Sequence, residues 1–487
     1  MLKQRAVTAT YWSAIDLFLR QGLQLVVTIV LARILSPEEF GTIALLSLFI
    51  GISSVFVDSG FSSALIQKQD ATHIEESTVF WFNLVAGFLL TLTLWLTAPY
   101  IADFYDKPAL TNIIYVISLV ISINSFGAIH IALLTKRLDF VTQMKIGTLA
   151  NVVSGTTAVI LAWKGFGIWA LVAQSLISSV LTNLLLWVFN SWRPEFRFRL
   201  TSARHLFGFG GYMVAATLLD TVYSKGYTLL IGKFYGAKEL GFYSQAENTK
   251  QFPSSILSSI FLRVAFPMLS AIATDKNKLQ RGVQLSIRSM MLINIPMMLG
   301  LAVLADIFIV AVFGDRWLPA VPVLQILCLA GVLWPYHAIN MSVLLAQGHS
   351  RLVFNLQIIK SIIGISLLLV GAKFGILGIA WSQVALSAFG YMLNTHYTKI
   401  HIDYGAYKQC LDNLPTMLCT LPMLAGVYTL STHWEAAPAI KLFSLAIIGA
   451  LIFAALCYLF KLTAMKDILA LLGKEQPALV QTPIIHE

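Results

Sequence analysis

The chain has 487 residues, of which 57% are hydrophobic and 11% charged, with a mean hydropathy of +0.78. Soluble domains carry about 25% charged residues, so too little charge is present to coat the two to four domains this length would form. A cytosolic enzyme, a secreted disulfide scaffold and a disordered hub are excluded, and an integral membrane protein remains. The net charge of +10, from 33 Lys and Arg against 23 Asp and Glu, would suit nucleic acid, but its placement along the chain disposes of that reading.

The first apolar stretch contains Asp16 and Arg20 and runs to Leu35 without a small-residue cleavage site, so it reads as an uncleaved first span. Windows able to cross about 30 Å of hydrocarbon as helices follow throughout. They are placed at 10–33, 41–64, 79–101, 113–134, 146–163, 167–189, 212–234, 241–271, 289–312, 320–346, 352–371, 375–397, 411–431 and 439–460. The eighth contains Pro253 and Pro267 and is expected to bend. The longest connections are 190–211, 272–288 and 398–410, and a tail follows Phe460; none holds a soluble domain.

Chemistry-bearing motifs are scarce. Cys328, Cys410, Cys419 and Cys457 form no C-x-x-C pair, and the histidines lack metal-site spacing. No phosphate-binding G-x-x-x-x-G-K-[ST] loop occurs, and Gly208 to Gly211 reads as helix packing. No catalytic residue, metal or bound cofactor is expected, and the protein is not expected to be an enzyme.

Orientation follows from Lys and Arg between the windows. Alternate segments starting at the N-terminus hold 20 of them, the opposite segments hold 8, and the remaining 5 lie within windows. Both termini are therefore placed in the cytoplasm. The basic charge reads as a topology signal in contact with membrane lipids, not as a nucleic-acid surface.

The first and seventh spans end alike. Val30-Leu-Ala-Arg-Ile-Leu-Ser-Pro-Glu-Glu-Phe-Gly41 matches Leu230-Ile-Gly-Lys-Phe-Tyr-Gly-Ala-Lys-Glu-Leu-Gly241 at an offset of 200. Two weaker echoes keep the order: Leu133-Leu134 with Leu344-Leu345, and Phe166-Gly167-Ile168 with Phe374-Gly375-Ile376. The expected fold is all-α and polytopic, with 14 transmembrane helices. Two six-helix bundles, 1–200 and 206–400, form a parallel repeat around a central cavity; two further helices in 401–461 and a cytoplasmic tail, 462–487, follow.

Nine charged residues fall within the windows by this reading: Asp16, Arg20, Asp58, Asp220, Lys225, Glu247, Lys250, Arg263 and Lys360. Each would cost about 2.5–3.5 kcal/mol near a helix centre in lipid. Asp16, Asp58, Arg263 and Lys360 lie toward the cytoplasmic third and can partly snorkel; the others are deeper. Ser13, Asp16, Arg20, Gln24 and Thr28 form one helical stripe, and Thr217, Asp220, Ser224 and Thr228 form its counterpart. Mutual pairing, Asp16 with Arg20 and Glu247 with Lys250, is one explanation. A hydrated cavity accounts better for the whole set. Its cations, with Gln24, would suit an anionic headgroup, and its acids, Asp16, Asp58, Asp220 and Glu247, would contact sugar or couple to H⁺ or Na⁺.

Several segments then fit a known pattern: Ile34 to Gly41; Val57-Asp58-Ser59-Gly60-Phe61 with Ala64-Leu65-Ile66-Gln67-Lys68; Arg263-Val264-Ala265-Phe266-Pro267; and Phe313-Gly314-Asp315-Arg316-Trp317 followed by Pro322-Val323-Leu324-Gln325. As a set they resemble the bacterial polysaccharide-exporter family. This is the lipopolysaccharide and capsule flippase branch, near the colanic-acid and teichuronic-acid transporters, of the multidrug/oligosaccharidyl-lipid/polysaccharide superfamily. The resemblance implies movement of undecaprenyl-diphosphate-linked oligosaccharide to the periplasmic leaflet of the inner membrane, driven by an ion gradient. It makes lipid-linked oligosaccharide the substrate and polysaccharide polymerase or assembly machinery a candidate partner. Arg263 and Lys360 would receive the diphosphate, with Arg20, Lys225 and Lys250 accompanying it. The alternative is a multidrug or organic-cation antiporter of the same superfamily, disfavoured because five intramembrane bases face four acids.

Overall fold

The computed structural model describes residues 19–58, 65, 71–197 and 199–465, and the chain forms two compact units, Met1–Ser244 and Gln245–Glu487. Among the described residues the secondary structure is helical, with no strand. Helix α1 covers 19–34, α2 Pro37–Leu45, α3 Ser47–Asp58, α4 His73–Phe104, α5 Leu110–Ile117 and α6 Leu119–Lys136. Then come α7 Phe140–Trp163, α8 Ile168–Phe189, α9 Leu200–Phe234 and α10 Gly236–Ala271. The remainder is α11 Lys276–Val303, α12 Ala305–Val312, α13 Val321–Val332, α14 Trp334–Ala346, α15 Ser350–Gly371, α16 Gly375–Ile402, α17 Ala406–His433 and α18 Pro438–Leu459.

Nine helices or helix runs among the described residues are long and apolar enough to cross a membrane. There are ten if α2 and α3, bent by 41° where they meet, count as one span. The protein is thus a multi-pass membrane protein. Helix α10 continues unbroken through Pro253 and Pro267.

The helix starts are written in the sequence. Ser36 accepts from the Glu39 N–H while the Glu39 carboxylate accepts from the Ser36 N–H at 2.7 Å, and Pro37 follows the cap. Thr72 and Glu75 repeat this capping box before α4, satisfying donors that a helix start leaves open. Asp275 caps α11, and the backbone N–H of Lys278 on its carboxylate, at 3.1 Å, holds its pKa below the usual carboxylate range. The apolar faces divide between protein and lipid. In α11, Leu279, Val283, Ile287, Met291 and Ile295 recur at four-residue steps, each at most 1% exposed, and join a core with Ile339 and Val343. In α18, Ile440, Phe443, Ile447 and Leu451 are each at least 60% exposed, the lipid-facing stripe expected of a span.

The sequence echoes have local counterparts in the backbone. Leu35 N–H donates to Leu31 O at 2.8 Å, and Tyr235 N–H donates to Ile231 O at 2.9 Å, keeping the 200-residue offset. Leu138 and Gly348 both take left-handed φ, +58° and +84°. The residue after each closes the same turn: Asp139 N–H to Leu134 O and His349 N–H to Leu344 O, both 2.9 Å. This matches Leu134 to Leu344 and so shifts the sequence echo, which set Leu133 against Leu344, by one residue. Gly167 and Gly375 also share positive φ, +55° and +79°, at the starts of α8 and α16.

Candidate functional site

In the first unit the duplicated motifs meet each other. A Cβ on Gly41 would fall on the carbonyl of Ala237, and a Cβ on Gly241 would fall on the carbonyl of Pro37. The contact is reciprocal and runs backbone to backbone, which only glycine permits. Ion pairs surround it: Lys107 with Glu38, and Lys233 with Asp106 at 2.8 Å. Farther along, Arg20 lies over Gly147 and donates to the backbone carbonyl of Gln143, so α1 and α7 share its guanidinium. Gln24 is exposed on α1, and Asp220 is exposed on α9. Lys225 is half-buried, and its own carbonyl accepts from the Thr228 hydroxyl at 2.7 Å.

A cavity of about 350 Å³ opens between α3, α6 and α8, lined by Ser54, Asn124, Ser178, Thr182 and Asn183 among apolar side chains. Among the described residues that line it, none is charged. Asn183 donates to Asn124 Oδ1 at 3.3 Å and to Ser179 O at 2.8 Å.

In the second unit the Glu247–Lys250 pair has formed, with Nζ 2.8 and 2.9 Å from the two carboxylate oxygens and side chains 25% and 14% exposed. The Lys250 stem passes beside Gly331. Lys360 runs past Gly390, where His337 also sits, and its Nζ is 3.9 Å from Met341 Sδ. His337 shares hydrogen bonds with Ser387 at 3.1 Å and Asn394 at 3.3 Å. Beside them Asn340, Gln409 and Thr398 form a buried triad: Gln409 Nε2 and Thr398 Oγ1 donate to Asn340 Oδ1 at 2.8 and 2.7 Å, and Asn340 Nδ2 donates to Gln409 Oε1 at 3.0 Å. Asp412 accepts from Arg288, from Gln284 at 2.8 Å and from the Tyr404 hydroxyl at 2.6 Å.

Of the residues selected by depth and spacing, Glu247 and Lys250 adopt the mutual-pairing explanation, and Arg20 is bound to a neighbouring helix rather than standing alone. Asp16 lies outside the described residues. Asp58 and Arg263 end and occupy α3 and α10 respectively, and nothing further is described of their side chains. By the window bounds the count changes on both sides: Asp306 (289–312) and Asp412 (411–431) join the acids, and Arg33, Lys233 and Lys441 join the bases, so eight bases face six acids. Four of these five additions lie within two residues of a window end, so the sign of the intramembrane charge does not by itself separate a flippase from a cation antiporter. The uncharged groups singled out in the sequence are those that share a stripe with a charge, such as Gln24 and Thr28; those of α8 that line the cavity stand apart from any. Ser178, Ser179, Thr182 and Asn183 are linked by three- and four-residue steps on α8, a polar stripe visible at helical spacing but carrying no charge to draw attention.

Residues 30–322 match a family described as "Polysaccharide biosynthesis protein". The teichuronic acid biosynthesis protein TuaB of Bacillus subtilis (strain 168) is 28% identical over 466 residues, 95% of this chain and 96% of that protein. The lipopolysaccharide biosynthesis protein WzxC of Escherichia coli (strain K12) is 28% identical over 440 residues, 88% of each. Among solved structures, the lipid II flippase MurJ in an inward closed conformation superposes with a TM-score of 0.77 at 16% identity, covering 94% of this chain and 99% of that one. The likeness to that structure is one of fold.

Proposed function

The chain belongs to the polysaccharide biosynthesis protein family, and from that membership we propose that it is a flippase for oligosaccharide repeat units carried on undecaprenyl diphosphate. The observation that carries this reading is end-to-end similarity to relatives named for teichuronic acid and lipopolysaccharide biosynthesis, joined to the fold of a lipid II flippase. The protein is a transporter and makes or breaks no covalent bond in this role.

The finer statements are part of the same proposal. The membrane is the bacterial inner membrane, both termini lie in the cytoplasm, and 14 spans contain two six-span repeats. The reciprocal Gly41 and Gly241 contact and the matching helix endings support the duplication. Transport proceeds by alternating access. Arg20, Lys225, Arg263 and Lys360 serve the diphosphate, and polysaccharide polymerase or assembly machinery receives the product. Coupling to H⁺ or Na⁺ falls to acids within the spans. Glu247 suits this because a proton or cation on its carboxylate releases Lys250 for an anion.

The test is turnover of lipid-linked precursor in cells whose only copy is Arg20→Ala, Asp220→Ala or Lys250→Ala. Precursor should accumulate in each at normal expression. Full turnover in all three would remove these residues from the transport path. A deletion strain that accumulates no lipid-linked precursor, yet gains drug sensitivity, would overturn the flippase reading itself.

A further inference from the structure

We propose that the uncharged cavity between α3, α6 and α8 is a subsite for a neutral sugar of the transported headgroup; the assignment rests on the flippase reading above. The volume of about 350 Å³ falls within the range of small-molecule sites, roughly 300–1,000 Å³. Its wall combines hydroxyls and carboxamides with Ile50, Val57 and Leu186. A pyranose has the same two-sided character, hydroxyl edges around C–H faces.

Hydrogen bonds within the wall determine which donors and acceptors remain for a ligand. Asn183, 7% exposed, donates to Asn124 Oδ1 at 3.3 Å, so the exposed Asn124 side chain offers its amide N–H groups to a ligand. Ser54 spends its proton on Ile50 O at 2.9 Å, leaving oxygen lone pairs as acceptors. A sugar hydroxyl, which donates and accepts at once, satisfies both kinds of group.

Depth excludes a lipid-facing role. Asn183 lies six residues before the end of α8 at Phe189, roughly 9 Å along the helix. Asn124 is exposed within the apolar run Leu110–Lys136. A carboxamide turned to hydrocarbon would lack partners, so this face meets a hydrated interior. The described lining, hydroxyls and carboxamides among apolar groups, favours a neutral ligand. An anionic sugar would enter without a counter-ion and bear an uncompensated desolvation cost, whereas a neutral one exchanges water hydrogen bonds for those of the wall.

The test uses the purified full-length chain in phospholipid nanodiscs and native mass spectrometry with three probes. These are undecaprenyl diphosphate, the same lipid bearing a neutral disaccharide, and the same lipid bearing a disaccharide that contains a uronic acid. The wild type should bind the neutral glycolipid about tenfold more tightly than the sugar-free lipid, the effect of one or two neutral hydrogen bonds. The uronic acid should not gain this increment. Asn124→Leu should abolish the neutral-sugar increment while sugar-free binding stays unchanged, and the near-isosteric Thr182→Val should reduce it in a chain that packs normally. Equal binding of all three lipids by the wild type, or an increment that survives both substitutions, overturns the subsite and leaves the flippase reading standing. No binding of any of the three lipids overturns both.

Discussion

Replacing Gly41 by alanine probes the backbone contact between the two copies of the duplicated motif. The added methyl group lands on the Ala237 carbonyl, which has no rotamer through which to yield, so α2 and the start of α10 must separate. Overpacking of this kind costs about 1–3 kcal/mol. Helix propensity acts in the opposite direction, since alanine is better than glycine within a helix by about 1 kcal/mol. Gly22 provides the control, because a Cβ there meets nothing within 4 Å. Gly22→Ala therefore receives the propensity gain alone, and the two variants should differ by roughly 1–3 kcal/mol. The assay is the thermal midpoint of the purified full-length chain, followed by loss of the monodisperse peak in fluorescence-detected size exclusion. Gly41→Ala should melt below wild type and Gly22→Ala at or above it. Because Gly41 and Gly241 share one contact, the double alanine variant should cost less than the sum of the singles. A Gly41→Ala midpoint equal to that of Gly22→Ala would refute the close approach.

Asp412→Asn removes the charge facing Arg288 in a pair whose side chains are 16% and 23% exposed. Breaking such a pair should destabilise the chain by about 3–5 kcal/mol, and adding Arg288→Gln should restore part of the thermal midpoint. Asn340→Leu leaves Oε1 of the fully buried Gln409 without its donor, while Gln409 Nε2 keeps Tyr404 O and the Thr398 hydroxyl keeps Asn394 O; at about 1–3 kcal/mol for that one unsatisfied group, it should lower the midpoint more than Thr398→Val does. Gly147→Ala places a methyl against the Arg20 guanidinium, a flexible group able to swing away. It should therefore change stability by less than about 0.5 kcal/mol while reducing precursor turnover toward that of Arg20→Ala.

Hydropathy made the helical membrane architecture legible, because long apolar windows have few alternatives. The family resemblance read from Ile34 to Gly41, Phe313 to Trp317 and the neighbouring segments is borne out by the family match over residues 30–322. The S-x-x-E start at Ser36 was equally readable, since its two reciprocal bonds are local. The interior was harder to read. A search for charges finds Glu247 and Lys250 but cannot say that they satisfy each other, because an i,i+3 spacing permits pairing without requiring it. Asp412 escaped because it stands one residue inside its window, where it resembles a boundary residue; its three partners come from α11 and the turn before α17. The cavity wall of Ser54, Asn124, Ser178 and Thr182 was illegible for another reason. Hydroxyl and amide groups are common in helices as partners of their own i−4 carbonyls, as Ser54 is of Ile50. Only the convergence of three helices makes them a site.

The two ion pairs of the second unit differ in what they permit. Glu247 and Lys250 belong to one helix, so their pair survives any rigid-body displacement of α10 and resists no motion. Arg288 belongs to α11 and Asp412 to α17, with Gln284 of α11 and Tyr404 joining at the same carboxylate. Sliding these helices apart would expose two charges to a partly buried site without compensation, a penalty of about 3–5 kcal/mol before any apolar contact is lost. Farther along, Met423 and Val427 of α17 pack with Leu304, Ile307 and Leu445 in a shared apolar cluster. Helix α17 is thus fastened to the α11–α12 segment at both an ionic and an apolar point, and α18 at the apolar one. Separating α11 from α17 in a conformational cycle would carry that penalty, whereas the Glu247–Lys250 pair imposes no interhelical restraint on α10.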